Sequence, residues 1–308
     1  MKEYDVFIVG SGAAGLTAAI YTGRKELKTI IVSTDVGGQA LLTDHIENYP
    51  GVEKISGPDL MLKFQTQAMA FGSEMVTGRV EKITKKDKKF VVKSSDGEQY
   101  ISKTVILASG KTPRKLDIPG EDKFMGKGVA TCATCDAPLF RSKEVAVIGG
   151  GNSALEAVEL LNNFATKIYL VHRREEFSAD VITLNKIKKM KKVEIITNAK
   201  PLEIRGDKFV SGLVIDGKEK KELRVEGVFV EIGYELDTKW LKDITKLNKK
   251  GEIIIDTSNN TSTRGIFAAG DVSTVPYKQA VISAGEGAKA GLEAYKYIKG
   301  TEVAIDWK

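Results

Sequence analysis

YDVFIVGSGAAGLTAAIYTGRKEL, residues 4–27, decides the fold. Tyr4 to Val9 is a short run of β-branched and aromatic residues that breaks at glycine and resumes as a helical pattern. The turn Gly10-Ser11-Gly12-Ala13-Ala14-Gly15 has the spacing GxGxxG in the context that gives it meaning, after a strand and at the opening of a helix. Gly10 permits the tight turn, Gly12 lets the backbone approach a pyrophosphate, and Gly15 lets the helix pack closely with its N-terminus facing the anion. KTIIVS, residues 28–33, supplies the second strand. It ends in Ser33 rather than an acid, with Asp35 two positions on, so ribose recognition there is expected to rely on backbone groups.

The same unit recurs at VAVIGGGNSALEAVELLNNF, residues 145–164, where Gly149, Gly151 and Ala154 hold the three motif positions. KIYLVHRREEF, residues 167–177, follows as the next strand and its exit. That strand ends in His172, Arg173 and Arg174, and positive charge at this place suits a 2′-phosphate and favours NADPH over NADH. The alternative is that the arginines only solvate the strand end. Two such units imply two dinucleotides, or one dinucleotide and an inactive copy.

Around these units the chain reads as an amphipathic helix, DLMLKFQTQAMAFG, an alternating β-meander from Glu74 to Leu107 with a turn at Asp96-Gly97, a late strand GIFAAGDV and a closing small-residue helix, residues 279–300. The expected fold is α/β, with two Rossmann-like dinucleotide-binding domains of the three-layer ββα type, the second inserted into the first. Residues 1–112 and 239–308 are expected to form one domain and residues 113–238 the other. The crossings are placed near Thr112 to Arg114 and Tyr234 to Thr238.

The chain of 308 residues has two cysteines, both within CATCDAP. A secreted-type disulfide scaffold is thereby excluded. The CxxC spacing of Cys132 and Cys135 suits a dithiol/disulfide couple, because the sulfurs can meet across one turn and lower each other's pKa. Zinc would need two more ligands, and only His45 and His172 offer other soft donors, so no metal is expected. Asp136 can carry protons for the couple if buried, or cap a helix before Pro138. With 42% hydrophobic and 29% charged residues the composition is that of a soluble globular protein. The net charge of +6 is accompanied by 7% aromatics and by no nucleic-acid motif, so nucleic acid is not an expected partner. No apolar run is long enough for a membrane span, and a strand-like segment follows Met1 directly, so a cytoplasmic protein is expected. KIKKMKK, residues 186–192, places Leu184, Ile187 and Met190 at helical spacing and its lysines outward, as a solvated face or as a guide for an acidic protein partner.

Taken in order, GSGAAG, GGQ, IENYPG, ILASG, CATCD, GGGNSA, HRR and GIFAAGDV followed by QA, the chain resembles the low-molecular-weight thioredoxin reductases of bacterial and archaeal type, in the pyridine nucleotide-disulfide oxidoreductase superfamily. The resemblance implies that residues 1–112 and 239–308 bind FAD and that residues 113–238 bind NAD(P)H and carry the redox pair. Ser11, Gly12, Ala13 and Ala14 would hold the FAD pyrophosphate, Gly38, Gln39 and Asn48 would line the flavin site, Asp271 would meet the ribityl and phosphate portion, and Gln279 and Ala280 would lie at the flavin ring. Gly151, Asn152, Ser153, His172, Arg173 and Arg174 match nicotinamide-cofactor positions. The implied activity passes electrons from NAD(P)H through FAD to Cys132–Cys135 and on to thioredoxin or a glutaredoxin-like protein, in a homodimer whose domains rotate. Cys135 would lie nearer the flavin, Cys132 would attack the partner, and Asp136 would handle protons.

Three positions depart from the family pattern. Asn152 stands where the family has Asp, Ser178 where it has a further arginine, and Ala137 where it has glycine. Ferredoxin or another donor in place of a pyridine nucleotide is therefore the alternative electron source, and a non-enzymatic flavin or nucleotide redox sensor the alternative class. No thioredoxin-like region precedes the first glycine turn, so the chain is not expected to resemble the flavoprotein component of alkyl hydroperoxide reductase. The CxxC sets it apart from thioredoxin-reductase-like ferredoxin-NADP reductases.

Overall fold

The computed structural model describes residues 1–43 and 46–300, so His45 lies outside the described residues. Two compact units result, one built from Met1–Leu41, Tyr49–Thr112 and the chain from Leu236 onward, the other from Leu42–Asn48 and Pro113–Glu235.

In the first unit, β1 (Lys2–Val9) is apolar without alternation from Val6 onward because both of its faces are covered. It runs parallel to β2 (Thr29–Ser33) on one side and to the strand Gln99–Leu107 on the other. Helix α1 (Ala13–Arg24) connects β1 to β2, and α2 (Gly57–Ala70) starts behind Ser56, whose hydroxyl accepts from the Asp59 amide at 3.1 Å. β3 (Glu74–Thr77) adds to β2, while β4 (Val80–Lys86), β5 (Lys89–Ser94) and β6 (Gln99–Leu107) form the antiparallel meander. One edge of β6 serves two neighbours in turn. Residues up to Ser102 pair with β5, and Val105 to Leu107 pair with a strand that arrives much later in the chain. Tyr4, Phe7, Phe90, Val92 and Tyr100 fill the space between meander and parallel sheet.

The chain enters the second unit through β7 (Thr112–Pro113), followed by β8 (Val129–Ala130), the single turn α3 (Ala133–Asp136), β9 (Glu144–Ile148), α4 (Asn152–Leu161), β10 (Lys167–Val171), α5 (Val181–Ile187) and β11 (Val193–Ile196). An antiparallel sheet of β12 (Lys200–Gly206), β13 (Val210–Asp216) and β14 (Lys220–Leu223) precedes β15 (Gly227–Val230) and β16 (Tyr234–Glu235), the last paired with β7. The main sheet, in order β11-β10-β9-β15-β8, is parallel throughout. Val145, Val147, Ile168 and Leu170 point to one face and meet Leu155, Val158 and Leu161 of α4. Ala146, Ile148, Tyr169 and Val171 point to the other and meet Ile204, Leu213 and Ile215 of the small sheet. That sandwich is the expected three-layer ββα arrangement. Helix α5 stops at Ile187, shorter than the lysine-rich pattern suggests, yet Leu184, Ile187 and Met190 all pack inward.

Back in the first unit, β17 (Ile266–Ala268) takes the free edge of β6, and α6 (Ala280–Lys299) packs on α1. The small residues of α6 have a steric reason. A Cβ on Gly287 would sit 2.0 Å from the Ala14 carbonyl oxygen, and one on Gly291 3.0 Å from that of Ala18.

Candidate functional site

In the first glycine turn, Gly10 has φ +99° and a Cβ there would meet the Ala108 carbonyl oxygen at 2.4 Å, while a Cβ on Gly15 would lie 1.9 Å from the Gly10 oxygen. These two glycines are demanded by the chain's own backbone. Gly12 is not. Its φ is −74°, and the nearest atom to a Cβ would be the Gly37 oxygen at 3.8 Å. A side chain missing without an internal reason leaves open the first-turn amides of α1, at Ala13 and Ala14, which have no intrahelical acceptor. That cradle fits the pyrophosphate of a dinucleotide. Ser11 is buried; its amide donates to Ser33 Oγ at 3.1 Å and its hydroxyl to the Asp35 carbonyl. Asp35 Oδ1 in turn accepts from the Gly38 amide at 2.8 Å. Ser33 therefore braces the turn, which accounts for the absence of an acid at that strand end.

Asp271 follows β17 beside this turn: a Cβ on its neighbour Gly270 would lie 2.9 Å from Ala14 Cβ. Gln39 Nε2 donates to Asp271 Oδ2 at 3.1 Å, and Ser283 Oγ to Oδ1 at 3.4 Å. Gln39 and Asp271, distant in sequence, are thus brought together. Gln279 caps α6 and Ala280 opens it. Asn48 is exposed and belongs to the segment grouped with the second unit. The motifs did not point to Lys111, whose Nζ is 3.9 Å from Asp271 Oδ2. Its signal in the sequence is a lysine shortly after an apolar strand, past Ala108, Ser109 and Gly110 in ILASGK.

The second turn repeats the logic. A Cβ on Gly149 would meet the Glu231 carbonyl oxygen at 2.4 Å, and one on Gly150 the His172 ring at 2.2 Å, whereas Gly151 faces nothing nearer than Ser178 Oγ at 3.9 Å. Again the middle position is open, with Asn152 and Ser153 exposed beside it. The loop after β10 is strapped over the turn. Ser178 donates to the Gly150 carbonyl from its amide at 2.9 Å and its hydroxyl at 3.2 Å, and Asn152 Oδ1 accepts from the Asp180 amide at 2.8 Å. His172 lies 3.1 Å from the Glu176 carbonyl through Nε2 and 4.8 Å from the Phe177 ring. Burial holds its pKa below the ordinary histidine value, and the charges of Arg173 and Arg174 lower it further. Those two arginines are exposed and form no salt bridge among the described residues.

Cys132 and Cys135 are joined in a disulfide across α3, with Cα atoms 5.3 Å apart. Cys132 is the N-cap, and its Sγ accepts from the Cys135 amide at 3.2 Å. Glu231 Oε1 accepts from the Ala133 amide at 3.4 Å, and Tyr234 donates to the Thr131 carbonyl at 2.8 Å, so the redox turn is tied to the end of β15 and its exit. Asp136 is buried and its Oδ1 accepts from Thr43 Oγ1 at 3.2 Å. Ala137 is buried in the core under α4, where its methyl group has a packing role. Among the described residues no cluster of three or more His, Cys, Asp or Glu side chains could hold a metal ion, and no helix is long and apolar enough to cross a membrane.

The model of the pyridine nucleotide-disulphide oxidoreductase family matches residues 4–287. The chain belongs to this family. An alkyl hydroperoxide reductase component of Staphylococcus aureus (strain MRSA252) is 43% identical over 301 residues, 96% of this chain and 59% of that protein. The chain thus spans about three fifths of the length of such relatives, and the likeness corrects the expectation that it would not resemble alkyl hydroperoxide reductase. The part shared is the two-unit dinucleotide-binding body itself. A bifunctional thioredoxin reductase/thioredoxin of Mycobacterium leprae is 38% identical over 301 residues, 96% of this chain and 66% of that protein. Among solved structures, thioredoxin reductase from Streptococcus pyogenes MGAS5005 superposes with a TM-score of 0.93 at 38% identity, covering 97% of this chain and 99% of that one. Thioredoxin reductase from Giardia duodenalis gives 0.90 at 34%, covering 97% and 100%. Within this pyridine nucleotide-disulphide oxidoreductase the implied cofactors are FAD and a pyridine nucleotide, matching the two open glycine turns.

Proposed function

We propose that the chain is a thioredoxin-disulfide reductase, taking electrons from NADPH through FAD to Cys132–Cys135 and on to thioredoxin or a glutaredoxin-like protein. The observation that carries the reading is the Cys132–Cys135 disulfide on a helical turn with a buried carboxyl at the next residue, Asp136, in a chain of this family. FAD would be held by Ser11, Gly12, Ala13, Ala14, Gly38, Gln39, Asn48, Asp271, Gln279 and Ala280, within residues 1–112 and 239–308. The pyridine nucleotide would be held by Gly151, Asn152, Ser153, His172, Arg173 and Arg174, within residues 113–238. The protein is proposed to be a homodimer, which sedimentation equilibrium tests.

The bound cofactors supply the electron pair that opens the disulfide. The chain's own residues then do the exchange chemistry. Two electrons and two protons convert the bridge into two thiols, with the Asp136 carboxyl passing a proton to and from the pair. Cys132, as thiolate, attacks one sulfur of the partner's disulfide, forming a mixed disulfide and expelling the partner's other sulfur, which takes a proton. Cys135, deprotonated in turn, attacks Cys132 Sγ, restores the bridge and frees the partner as a dithiol. Arg173 and Arg174 favour NADPH as donor. The test is an anaerobic titration at the flavin band with NADPH, NADH and reduced ferredoxin, followed by thioredoxin turnover. Reduction by ferredoxin alone overturns the donor, and absence of turnover with every donor favours a redox sensor.

A second reading, that the dithiol serves a peroxide-reducing system as in alkyl hydroperoxide reductase, is favoured by the 43% identity to the Staphylococcus aureus protein. Peroxide-dependent oxidation of the donor with a peroxide-reducing partner protein, in the absence of thioredoxin, would select it.

A further inference from the structure

Lys111 is a lysine whose side chain is only 15% exposed, and Asp271, its partner at 3.9 Å, is equally buried. Lysine is seldom buried without a countercharge. At this distance the pair interacts by charge rather than through a short hydrogen bond. The hydrogen-bond donors to Asp271, Gln39 at 3.1 Å and Ser283 at 3.4 Å, carry no charge of their own. The neighbouring cation, Lys278, is committed elsewhere: its Nζ donates to the Ser273 carbonyl at 2.6 Å and to the Asp271 carbonyl at 3.3 Å, and pairs with Glu252 at 3.4 Å. Among the described residues, Lys111 is the cation that forms an ion pair with the Asp271 carboxylate.

The position of the pair gives it a role. Lys111 lies beyond the C-terminal end of β6 and Asp271 beyond that of β17, two adjacent parallel strands, and Gly270 touches Ala14 in the open first turn of α1. Crevices at the C-terminal ends of parallel strands are where dinucleotides bind. A diphosphate there brings two negative charges next to a carboxylate already buried, and in a partly desolvated site that repulsion is weakly screened.

We propose that Lys111 is a cofactor-retention residue: by balancing the Asp271 carboxylate it allows the first unit to hold the FAD diphosphate. The inference rests on the reading that this unit binds FAD.

The test is a fluorescence titration of FAD into the stripped full-length protein, which reads binding without turnover. Lys111→Gln is expected to raise the FAD dissociation constant about tenfold, and Lys111→Arg to keep it within about twofold of the parent. Lys111→Met, which retains an apolar stem in the buried position, is the second neutral variant, and either neutral variant that melts like the parent as apo-protein decides the matter. A neutral variant with the parental dissociation constant, or an arginine variant as weak as the neutral ones, overturns the proposal while leaving the FAD reading intact. A parent that takes up no FAD overturns both.

Discussion

The Cys135 amide donates to Cys132 Sγ at 3.2 Å, so one sulfur of the bridge already sits on a backbone donor. After reduction the same N–H can stabilise charge on Cys132, and a hydrogen bond to the ionised form lowers a thiol's pKa. This contact supports the proposed assignment of Cys132 as the attacking thiolate and Cys135 as the resolving one. Either cysteine changed to serine should cut thioredoxin turnover by roughly a thousandfold or more. Only Cys135→Ser should accumulate a mixed disulfide with thioredoxin, detected by mass spectrometry under non-reducing conditions. Accumulation with Cys132→Ser instead would reverse the assignment.

The glycines of the first turn should separate into two behaviours. Gly10 carries positive φ and abuts the Ala108 backbone, so Gly10→Ala should destabilise the apo-protein by on the order of 2 kcal/mol or more. Gly12 has room and an ordinary φ, so Gly12→Ala should unfold within about 1 kcal/mol of the parent yet bind FAD at least roughly tenfold more weakly. Denaturant unfolding of the apo-proteins and FAD titration read the two effects independently. Equal losses of apo stability would show that the Gly12 vacancy serves the fold rather than a ligand.

The α/β class and both glycine turns were legible because strand, glycine spacing and helix occur within about twenty residues of one another, and local pattern is what a sequence displays. The sharing of one β6 edge between β5 and β17 was not legible. Val105, Ile106 and Leu107 are buried apolar residues whichever strand lies beside them, and β17 is supplied by residues far along the chain. The braces were hidden for a related reason. Ser33 read only as a strand end without an acid and Ser178 only as a position without an arginine, and the folded backbone is what brings Ser33 to the Ser11 amide and Ser178 to the Gly150 carbonyl. Glu231, in the strand-like GVFVEIG, gave no sign that its carboxylate would reach the redox turn.

Ser178 also makes a prediction about the electron donor. Its amide alone maintains the 2.9 Å bond to Gly150, and the residue is exposed, so a longer side chain can be accommodated without loosening the strap. Ser178→Arg would add a third guanidinium beside Arg173 and Arg174. The KM for NADPH should fall about five- to tenfold, with the KM for NADH and the kcat little changed, because a charge-assisted contact to the 2′-phosphate is available to NADPH alone. An equal improvement for both nucleotides would place the new arginine away from the 2′ position.

His172 should make stability depend on pH in a definite direction. Its folded pKa lies below the ordinary value, chiefly because burial disfavours the charged ring, whereas in the unfolded chain it titrates near 6.5. Above that pH neither state holds the proton, and no penalty arises. As pH falls through about 6.5 the unfolded chain gains a proton that the folded ring still refuses, so stability declines until the folded pKa is passed and then levels off. Between pH 7.5 and 5.5 the parent should therefore lose more of its Tm than His172→Gln does. Loss of the ring's packing against Gly150 shifts that variant by a pH-independent offset, so the slope, and not the absolute Tm, is diagnostic. Parallel slopes would mean that the ring is protonated as easily in the folded protein as in water, and that burial at the Gly150 turn does not hold its pKa down.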